Sequence, residues 1–307
     1  MIFKISTQFA ESNSAEHLAD ICCKMICNRH YISCDSATRE LINASVEKHG
    51  STLQKELFLQ YKGFDITNEL WKYLTSIDVD AFSYSMLDIM LTQPSRLLIE
   101  NSYNEWNTYK SIMGAYKHDK KYKNLFLALE LAKKENRISY LHGGGHTTYV
   151  SLIEQNNSCD YAGIFKYKVC IIFDRDTDNA SYYDIQKNAL FKFLCGKDYT
   201  QITNEDVYSL NQLEYIWHMW YKRAIENYFP NIRFQAAGVD TTVIPVDKEE
   251  RDFYDFGNIP SYSKNKLAQL PQDMGRADYE KGLKKFVING EEITELQLFL
   301  LKLVKII

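Results

Sequence analysis

Short apolar runs alternate with longer polar stretches of helical periodicity through the middle of the chain. Residues 96–100, 137–142 and 167–173 are rich in leucine, β-branched and aromatic residues, and each run ends in a polar turn. Such runs are typical of buried strands in a parallel sheet. The alternation of strands with helices predicts an α/β fold, in which a mainly parallel central sheet is flanked by helices and joined by right-handed crossovers.

The first part of the chain, residues 1–93, has a different pattern. Segments 14–27, 36–49 and 52–61 combine helical periodicity with polar starts, as expected of helices that begin at a capping residue. Asp35 stands at the position of such a cap, directly before the second segment. We therefore expect a mainly helical N-terminal region.

The rest of the chain divides into an expected sheet-containing core at residues 94–235 and a helical C-terminal extension at residues 236–307. Within the core, residues 215–222 alternate well enough to predict one more strand. Its aromatic side chains either pack the core or offer a stacking surface to unpaired bases, and core packing is the simpler interpretation. Residues 291–307 are predicted to form a helix that is apolar on most faces, and therefore buried in its own domain or by a partner subunit.

Composition narrows the function classes. The chain has 307 residues, of which 45% are apolar, and no apolar segment is long enough to span a bilayer. The seven cysteines do not form the pattern of a disulfide framework, and the start of the chain lacks the apolar core of a signal peptide. We therefore expect a cytoplasmic protein that is not associated with a membrane. A net charge of −4 argues against nonspecific coating of DNA. It leaves a nuclease possible, because a bound metal supplies positive charge locally.

Acidic residues end two of the predicted strands. Glu100 closes the first strand, and Asp174 and Asp176 follow the third. Open parallel sheets place their chemistry at the carboxyl ends of the strands, so these carboxylates are expected to meet. Carboxylate oxygens are preferred ligands of Mg²⁺ and Mn²⁺. Asp178 is expected either to bind the same metal or to influence the site without contacting the ion. The simpler interpretation of the acids after the third strand is an Asx-turn.

A strand that ends in Glu, followed two strands later by Asp-x-Asp, resembles the TOPRIM domain of topoisomerases, primases and OLD-family nucleases. The closer resemblance is to TOPRIM proteins of ATPase-linked phage-defence systems, which carry an Ile-Glu-Asn-Tyr-like segment that here reads Ile225 to Tyr228. The chain departs from the family at one point. The usual Glu-Gly-x-x-Asp pattern has Asn101 and Asn104 in place of its Gly and second acid.

The resemblance implies a TOPRIM-like fold and a metal-dependent endonuclease that hydrolyses phosphodiester bonds of DNA or RNA with Mg²⁺ or Mn²⁺. The implied catalytic acids are Glu100, Asp174, Asp176 and Glu226, although Glu226 is equally explained as an exposed helix charge. The implied biology is a toxin-like effector in anti-phage defence, controlled by an ABC-type ATPase partner. A homo-oligomer is a further expectation.

Several residues are candidates for contact with nucleic acid or phosphate. The glycine loop at 143–145 lacks the Lys of a P-loop, which excludes an ATPase. Its functional interpretation is that backbone amides at Gly144 meet a phosphate, and the alternative is a turn that needs positive φ. The remaining candidates are basic or polar side chains near the predicted strand ends: His146, Lys222, Arg223 and Lys266.

Other interpretations stay open. A cluster from Cys22 to Cys34, with His30, is either a zinc site or a set of buried thiols, and its spacing matches no common zinc finger. The Asp-x-Asp motif also occurs in haloacid dehalogenase-type phosphohydrolases, which normally have Thr or Val where Asp178 stands here, and in glycosyltransferases. Because of the departure at Asn104, a non-catalytic TOPRIM-like regulatory or binding subunit is a third alternative.

Overall fold

The protein has an α/β fold with parallel sheets flanked by helices, as the alternation of strands and helices predicts. The computed structural model describes these residues: 1–65, 71–212 and 214–307. They form two compact units. Apart from the last two residues, unit 1 comprises 1–93 and 156–168, and unit 2 comprises 94–155 and 169–305.

Unit 1 contains a small parallel sheet in addition to the predicted helices. Its strands β1 (Ile2–Lys4), β2 (Tyr31–Ser33) and β3 (Ser76–Asp78) lie in the order β2-β1-β3. Strands of three residues are too short to display an alternating pattern, which is why the sequence predicted helices alone. The helices whose full length lies within the described residues of unit 1 are α1 (Thr7–Ser12), α2 (Ala15–Cys27), α3 (Ser36–His49), α4 (Thr52–Leu59) and α5 (Tyr84–Thr92).

The helix starts in unit 1 follow from capping chemistry. The side chain of Asp35 accepts a hydrogen bond of 2.7 Å from the backbone nitrogen of Thr38, so α3 begins where the sequence predicted. Ser14 caps α2 in the same way, through a bond of 3.2 Å from His17 N. Each cap satisfies one of the backbone N–H groups that the first turn of a helix leaves without a partner.

Unit 2 contains the sheet that positions the candidate site. Four parallel strands lie in the order β5-β4-β6-β7. Their bounds are β4 (Ser95–Ile99), β5 (Ile138–His142), β6 (Val169–Phe173) and β7 (Ile216–Met219). In the register, Leu98 lies opposite Leu141 on one side and Ile171 on the other. The carboxyl ends of β4 and β6 therefore meet at one edge of the sheet.

Helices cover this sheet. Trp217 and Trp220, in and after β7, are almost fully buried, which confirms that the aromatic residues of this strand pack the core. The helices described in unit 2 are α6 (Ser102–Tyr116), α7 (Lys123–Lys134), α8 (Tyr149–Cys159), α9 (Asn188–Cys195), α10 (Asn204–Val207), α11 (Asn231–Ala236), α12 (Lys248–Asp252), α13 (Arg276–Tyr279) and α14 (Glu295–Val304). The last residues of α8, from 156 onward, are assigned to unit 1. No helix in the described ranges combines the length and the apolar character that crossing a membrane requires.

The C-terminal region contains a hairpin where the sequence predicted only helix. Strands β8 (Lys285–Ile288) and β9 (Glu291–Thr294) pair antiparallel. Asn289 and Gly290 connect them with φ of 52° and 78°, the positive values that a type I′ turn requires and that Asn-Gly supplies. The predicted start of the last helix at residue 291 is therefore wrong. The helix begins at Glu295, and its apolar side chains are buried within unit 2.

Candidate active site

Asp174 and Glu226 are brought together by the chain segment that follows β7. Asp174 directly follows β6 and is only 6% exposed. One of its carboxylate oxygens accepts a hydrogen bond of 3.0 Å from the backbone nitrogen of Ile225. This bond fixes Asp174 against the short 3₁₀ helix Ile225–Tyr228, which carries Glu226.

Lys264 joins Asp174 to Glu226. Its ammonium nitrogen lies 2.8 Å from Glu226 Oε1 and 3.8 Å from Asp174 Oδ2. Glu226 is 2% exposed, and its Oε1 also accepts a 2.8 Å hydrogen bond from the hydroxyl of Tyr262. Its second oxygen, Oε2, is buried and has no hydrogen-bond partner within the described part of the chain. A buried carboxylate oxygen without a partner is costly, and it indicates a position prepared for a ligand.

The second acid of the Asp-x-Asp motif is held by a different lysine. Asp176 Oδ2 lies 2.5 Å from the ammonium nitrogen of Lys187, which is fully buried and also lies 3.5 Å from Asp184. The backbone of Asp176 has φ of 60°, and its nitrogen donates to the carbonyl oxygen of Arg223. The left-handed conformation is one that Asp tolerates better than most residues, and here it turns the chain sharply after the strand.

Glu100 lies at the end of β4, beside the glycine loop. Its Oε1 is 4.0 Å from Nδ1 of His146. Burial raises the pKa of Glu100, and the nearby carboxylate of Asp176 raises it further. His146 Nε2 is buried and has no hydrogen-bond partner among the residues described. The two predicted residues thus face each other, with a polar atom of the histidine still available.

Glu105 belongs to the same acidic cluster, although the sequence analysis did not select it. It is 4% exposed, and its carboxylate accepts hydrogen bonds from Asn101 N at 3.0 Å and the Tyr109 hydroxyl at 3.2 Å. Burial raises its pKa to about 7, with further contributions from Glu100 and Glu226. Its helical position would have revealed it, because it shares the spacing of the buried residues Tyr109, Ile112 and Tyr116 of α6.

The cluster carries more negative than positive groups. Its carboxyl groups are those of Glu100, Glu105, Asp174, Asp176 and Glu226, and its ammonium groups are those of Lys187 and Lys264. Burial raises the pKa of Asp174 well above its ordinary value, and Asp176 and Glu226 add to the effect. Burial lowers the pKa of Lys264, but Glu226 and Asp174 outweigh it and hold that pKa above its usual range. The cluster therefore has a deficit of positive charge that a cation would compensate.

Donor chemistry and charge at this position fit Mg²⁺ or Mn²⁺, which prefer carboxylate oxygens. Asp174 and Glu226 already share one cation, the ammonium of Lys264, and Glu226 Oε2 has coordinating capacity left. Across residues 1–65, 71–212 and 214–307, no three His, Cys, Asp or Glu side chains are arranged to hold one ion. Asp174 and Glu226 are therefore arranged around the Lys264 ammonium. A metal ion with three carboxylate ligands at this position would require a side chain to move.

The other predicted contact residues have protein partners. Asp178 is 81% exposed at its side chain and pairs with Arg223 at 2.5 Å. The same guanidinium lies 3.2 Å from Asp255. Lys222 is buried and pairs with Asp252 at 2.7 Å. The structure thus places Asp178 in an ion pair with Arg223 and does not bring it to the carboxylates of the cluster.

Lys266 is two positions after Lys264, but its ammonium binds backbone carbonyl groups. Its ammonium donates hydrogen bonds to the carbonyl oxygens of Gly238 at 3.0 Å and Ser261 at 2.8 Å. Of the two lysines, Lys264 is the one that contacts the predicted acids.

The glycine loop after β5 is a tight turn. Gly144 and Gly145 have φ of 67° and 116°, as the turn interpretation expects. A Cβ at Gly143 would lie 2.1 Å from the ring of Tyr149, so any side chain here would force that ring to shift. The Gly143 nitrogen donates to the carbonyl oxygen of Ile99, which ties the loop to the end of β4.

The cysteine cluster of unit 1 consists of free thiols. Cys22 and Cys23 are buried, whereas Cys27 is exposed. Burial raises the pKa of the Cys23 thiol to about 11. In the described part of unit 1, no three of these Cys and His side chains are placed to hold a metal. Cys22 and Cys23 are therefore buried thiols, whereas Cys27 lies at the surface.

The acids open into a small cavity. Its volume is about 230 Å³, and its lining includes the acids Asp174, Asp176 and Glu226, the basic residues Arg223 and Lys264, and aromatic residues. The aromatic residues are Tyr254, Phe256 and Tyr262. A larger cavity of unit 2, about 610 Å³ in volume, contains Tyr221 and Lys284 but none of the clustered acids.

Neither a family model, a curated protein nor a solved structure matches the chain. The functional argument therefore rests on the geometry and charge of the acidic cavity.

Proposed function

We propose that the protein is a metal-dependent endonuclease with a TOPRIM-like core, and that the acidic cavity is its active site. The observation that supports this most strongly is the buried pair Asp174 and Glu226, which share one side-chain cation and leave Glu226 Oε2 without a partner. Surplus carboxylates at the carboxyl edge of a parallel sheet are typical of a divalent cation site.

In this proposal, Glu100, Asp174, Asp176 and Glu226 hold Mg²⁺ or Mn²⁺. When bound, such an ion supplies Lewis-acid activation of water and of the phosphodiester. In the reaction, the oxygen of water bonds to phosphorus and gives up a proton, one P–O ester bond breaks, and the leaving oxygen takes up a proton. Lys264 is placed to offset the negative charge of the phosphate. Glu105, whose pKa is about 7, is placed to hold or release a proton near neutral pH.

The biological part of the proposal follows from the family resemblance alone. A toxin-like effector in anti-phage defence needs its nuclease kept silent until infection, and an ABC-type ATPase partner would provide that control. Cytoplasmic location and a homo-oligomeric state are compatible with this role.

A non-catalytic regulatory or binding subunit is the second candidate. It is favoured by the position of Lys264, which already compensates Asp174 and Glu226, and by the lack of a three-ligand group in the described ranges. In this case the lysine is a permanent structural cation, and the chain binds its partner or nucleic acid without cleavage.

Cleavage of labelled plasmid DNA, single-stranded DNA and total tRNA with Mg²⁺ or Mn²⁺ separates the two candidates. Wild type should cleave at least one substrate, whereas Glu100→Ala should not. Glu250→Ala, a change at an exposed residue of α12, is the matched control and should cleave like wild type. Cleavage that survives Glu100→Ala would contradict the proposal. Wild type without metal-dependent cleavage or metal affinity would favour the regulatory subunit.

A further inference from the structure

Aromatic residues line part of the acidic cavity. Phe256 and Phe234 stack with ring centroids 4.5 Å apart and an interplanar angle of 12°. Tyr254 packs edge-on against Phe256 at 5.5 Å. Phe256 and Phe234 are buried, so this lining has a rigid base.

The two tyrosines of this lining have different roles. The hydroxyl of Tyr262 donates to Glu226, which ties its ring to the acids. Tyr254 is half-buried and lines the cavity, and its hydroxyl makes no hydrogen bond with the described residues. The backbone of Tyr254 is held through its carbonyl oxygen, which accepts from the Asn227 side chain at 3.0 Å. A ring held in place by its backbone and by Phe256 needs little ordering before it contacts a ligand.

Two of the cavity's carboxylates are buried and a third is exposed. Asp174 and Glu226 are 6% and 2% exposed, whereas Asp176, which lines the same cavity, is 41% exposed at its side chain. A phosphate can reach Asp174 and Glu226 only if its strand enters the cavity. In a duplex the faces of each base are covered by neighbouring bases, so an aromatic side chain can stack only on an unpaired base.

We propose that the cavity takes one unpaired nucleotide, whose base stacks on Tyr254 while its phosphate lies toward Asp174 and Glu226. The inference rests on the proposed nuclease function and narrows its substrate to single-stranded DNA, single-stranded RNA or an unpaired loop. Stacking is tolerant of sequence because every base has an aromatic face. Little sequence preference is therefore expected at this nucleotide.

Fluorescence anisotropy tests the inference on the full chain. The probes are a short labelled DNA strand, an RNA strand of the same sequence, and the matching duplexes, with Ca²⁺ in place of Mg²⁺ to slow cleavage. Wild type should bind the single strands at least roughly tenfold more tightly than the duplexes. Tyr254→Leu should weaken single-strand binding by roughly fivefold to a hundredfold, the range expected for loss of one stacked base.

Two variants make the result specific. Tyr254→Phe keeps the ring and should bind like wild type. Tyr199→Leu changes a half-buried tyrosine of unit 2 that does not line the cavity, and it should also bind like wild type. Equal affinity for single strands and duplexes, or unchanged affinity in Tyr254→Leu, would overturn the inference.

Cleavage with Mg²⁺, measured separately, distinguishes this inference from the proposed function. If wild type cleaves and Tyr254→Leu cleaves single strands and duplexes as fast, the stacking inference fails while the nuclease stands. If single-strand binding depends on Tyr254 but no substrate is cleaved, the nucleotide site stands and the nuclease fails.

Discussion

Lys264 places its ammonium nitrogen 2.8 Å from Glu226 Oε1, so a side-chain cation occupies the space between Glu226 and Asp174. A divalent cation that used the same carboxylates would compete with this ammonium. Lys264 is 43% exposed at its side chain, which allows it to move aside at modest cost.

Replacement of Lys264 should have opposite effects on metal affinity and on the rate of cleavage. Lys264→Met is expected to raise Mn²⁺ affinity by a few-fold to roughly tenfold, because the loss of a partly exposed ion pair removes about 1 kcal/mol of competition. Cleavage should fall by roughly a hundredfold, because the charge that offsets the phosphate is lost. Lys266→Met is the control and should leave Mn²⁺ affinity unchanged. Calorimetry and cleavage rates measure the two effects, and weaker Mn²⁺ binding in Lys264→Met would refute the competition.

Stability should depend on pH through Glu105. Burial raises its folded pKa to about 7 from 4.5, so the folded state binds the proton more tightly than the unfolded state. The resulting stabilisation is fully present below about pH 4.5 and is lost as the pH rises through 7. Glu105→Gln should remove this loss, which is on the order of 3 kcal/mol. Urea unfolding at pH 5 and pH 8 measures it, and equal pH dependence in both proteins would contradict the assignment.

Asp174 should show a conflict between stability and activity. Its pKa is raised well above the ordinary value, first by burial and then by the neighbouring acids, so its ionised form destabilises the metal-free protein. Asp174→Asn keeps an oxygen for the Ile225 nitrogen and should increase the free energy of unfolding at pH 8 by about 1–3 kcal/mol. The same change should reduce cleavage at least roughly a hundredfold. Asp178→Asn, at an exposed residue, should change neither, and a destabilised Asp174→Asn protein would contradict the account.

Gly143 is predicted to be intolerant of any side chain. A Cβ there would lie 2.1 Å from the ring of Tyr149, whose hydroxyl donates to the carbonyl oxygen of Ile172. Gly143→Ala should therefore cost about 1–3 kcal/mol of unfolding free energy. Gly114→Ala is a matched control inside α6, where a Cβ meets nothing within 4 Å, and it should stabilise the protein by roughly 0.5–1 kcal/mol. Thermal unfolding of both variants tests this contrast.

The sequence was sufficient to predict the sheet of unit 2, because each strand is a distinct apolar run and helices separate them. It also predicted that Glu100 and Asp174 would lie near each other, because both follow neighbouring parallel strands whose carboxyl ends meet at one edge of the sheet. The hairpin of β8 and β9 was overlooked although Asn289-Gly290 is a strong turn signal, because the apolar run that follows dominated the pattern.

Side-chain partners were beyond sequence reasoning. Lys264 and Lys266 are two positions apart and have the same chemistry, yet one contacts Glu226 and the other binds backbone carbonyls. Only the path of the chain after β7 decides which ammonium reaches the acids. Similarly, no local pattern indicates that Lys187 is fully buried against Asp176.

Mn²⁺ binding to the metal-free protein, followed by isothermal titration calorimetry, tests the central claim most directly. The account predicts that wild type and Asp178→Ala bind Mn²⁺ with the same affinity, and that Asp174→Ala binds at least roughly tenfold more weakly. Wild type without measurable Mn²⁺ affinity, or Asp174→Ala with unchanged affinity, would contradict a metal site in the acidic cavity.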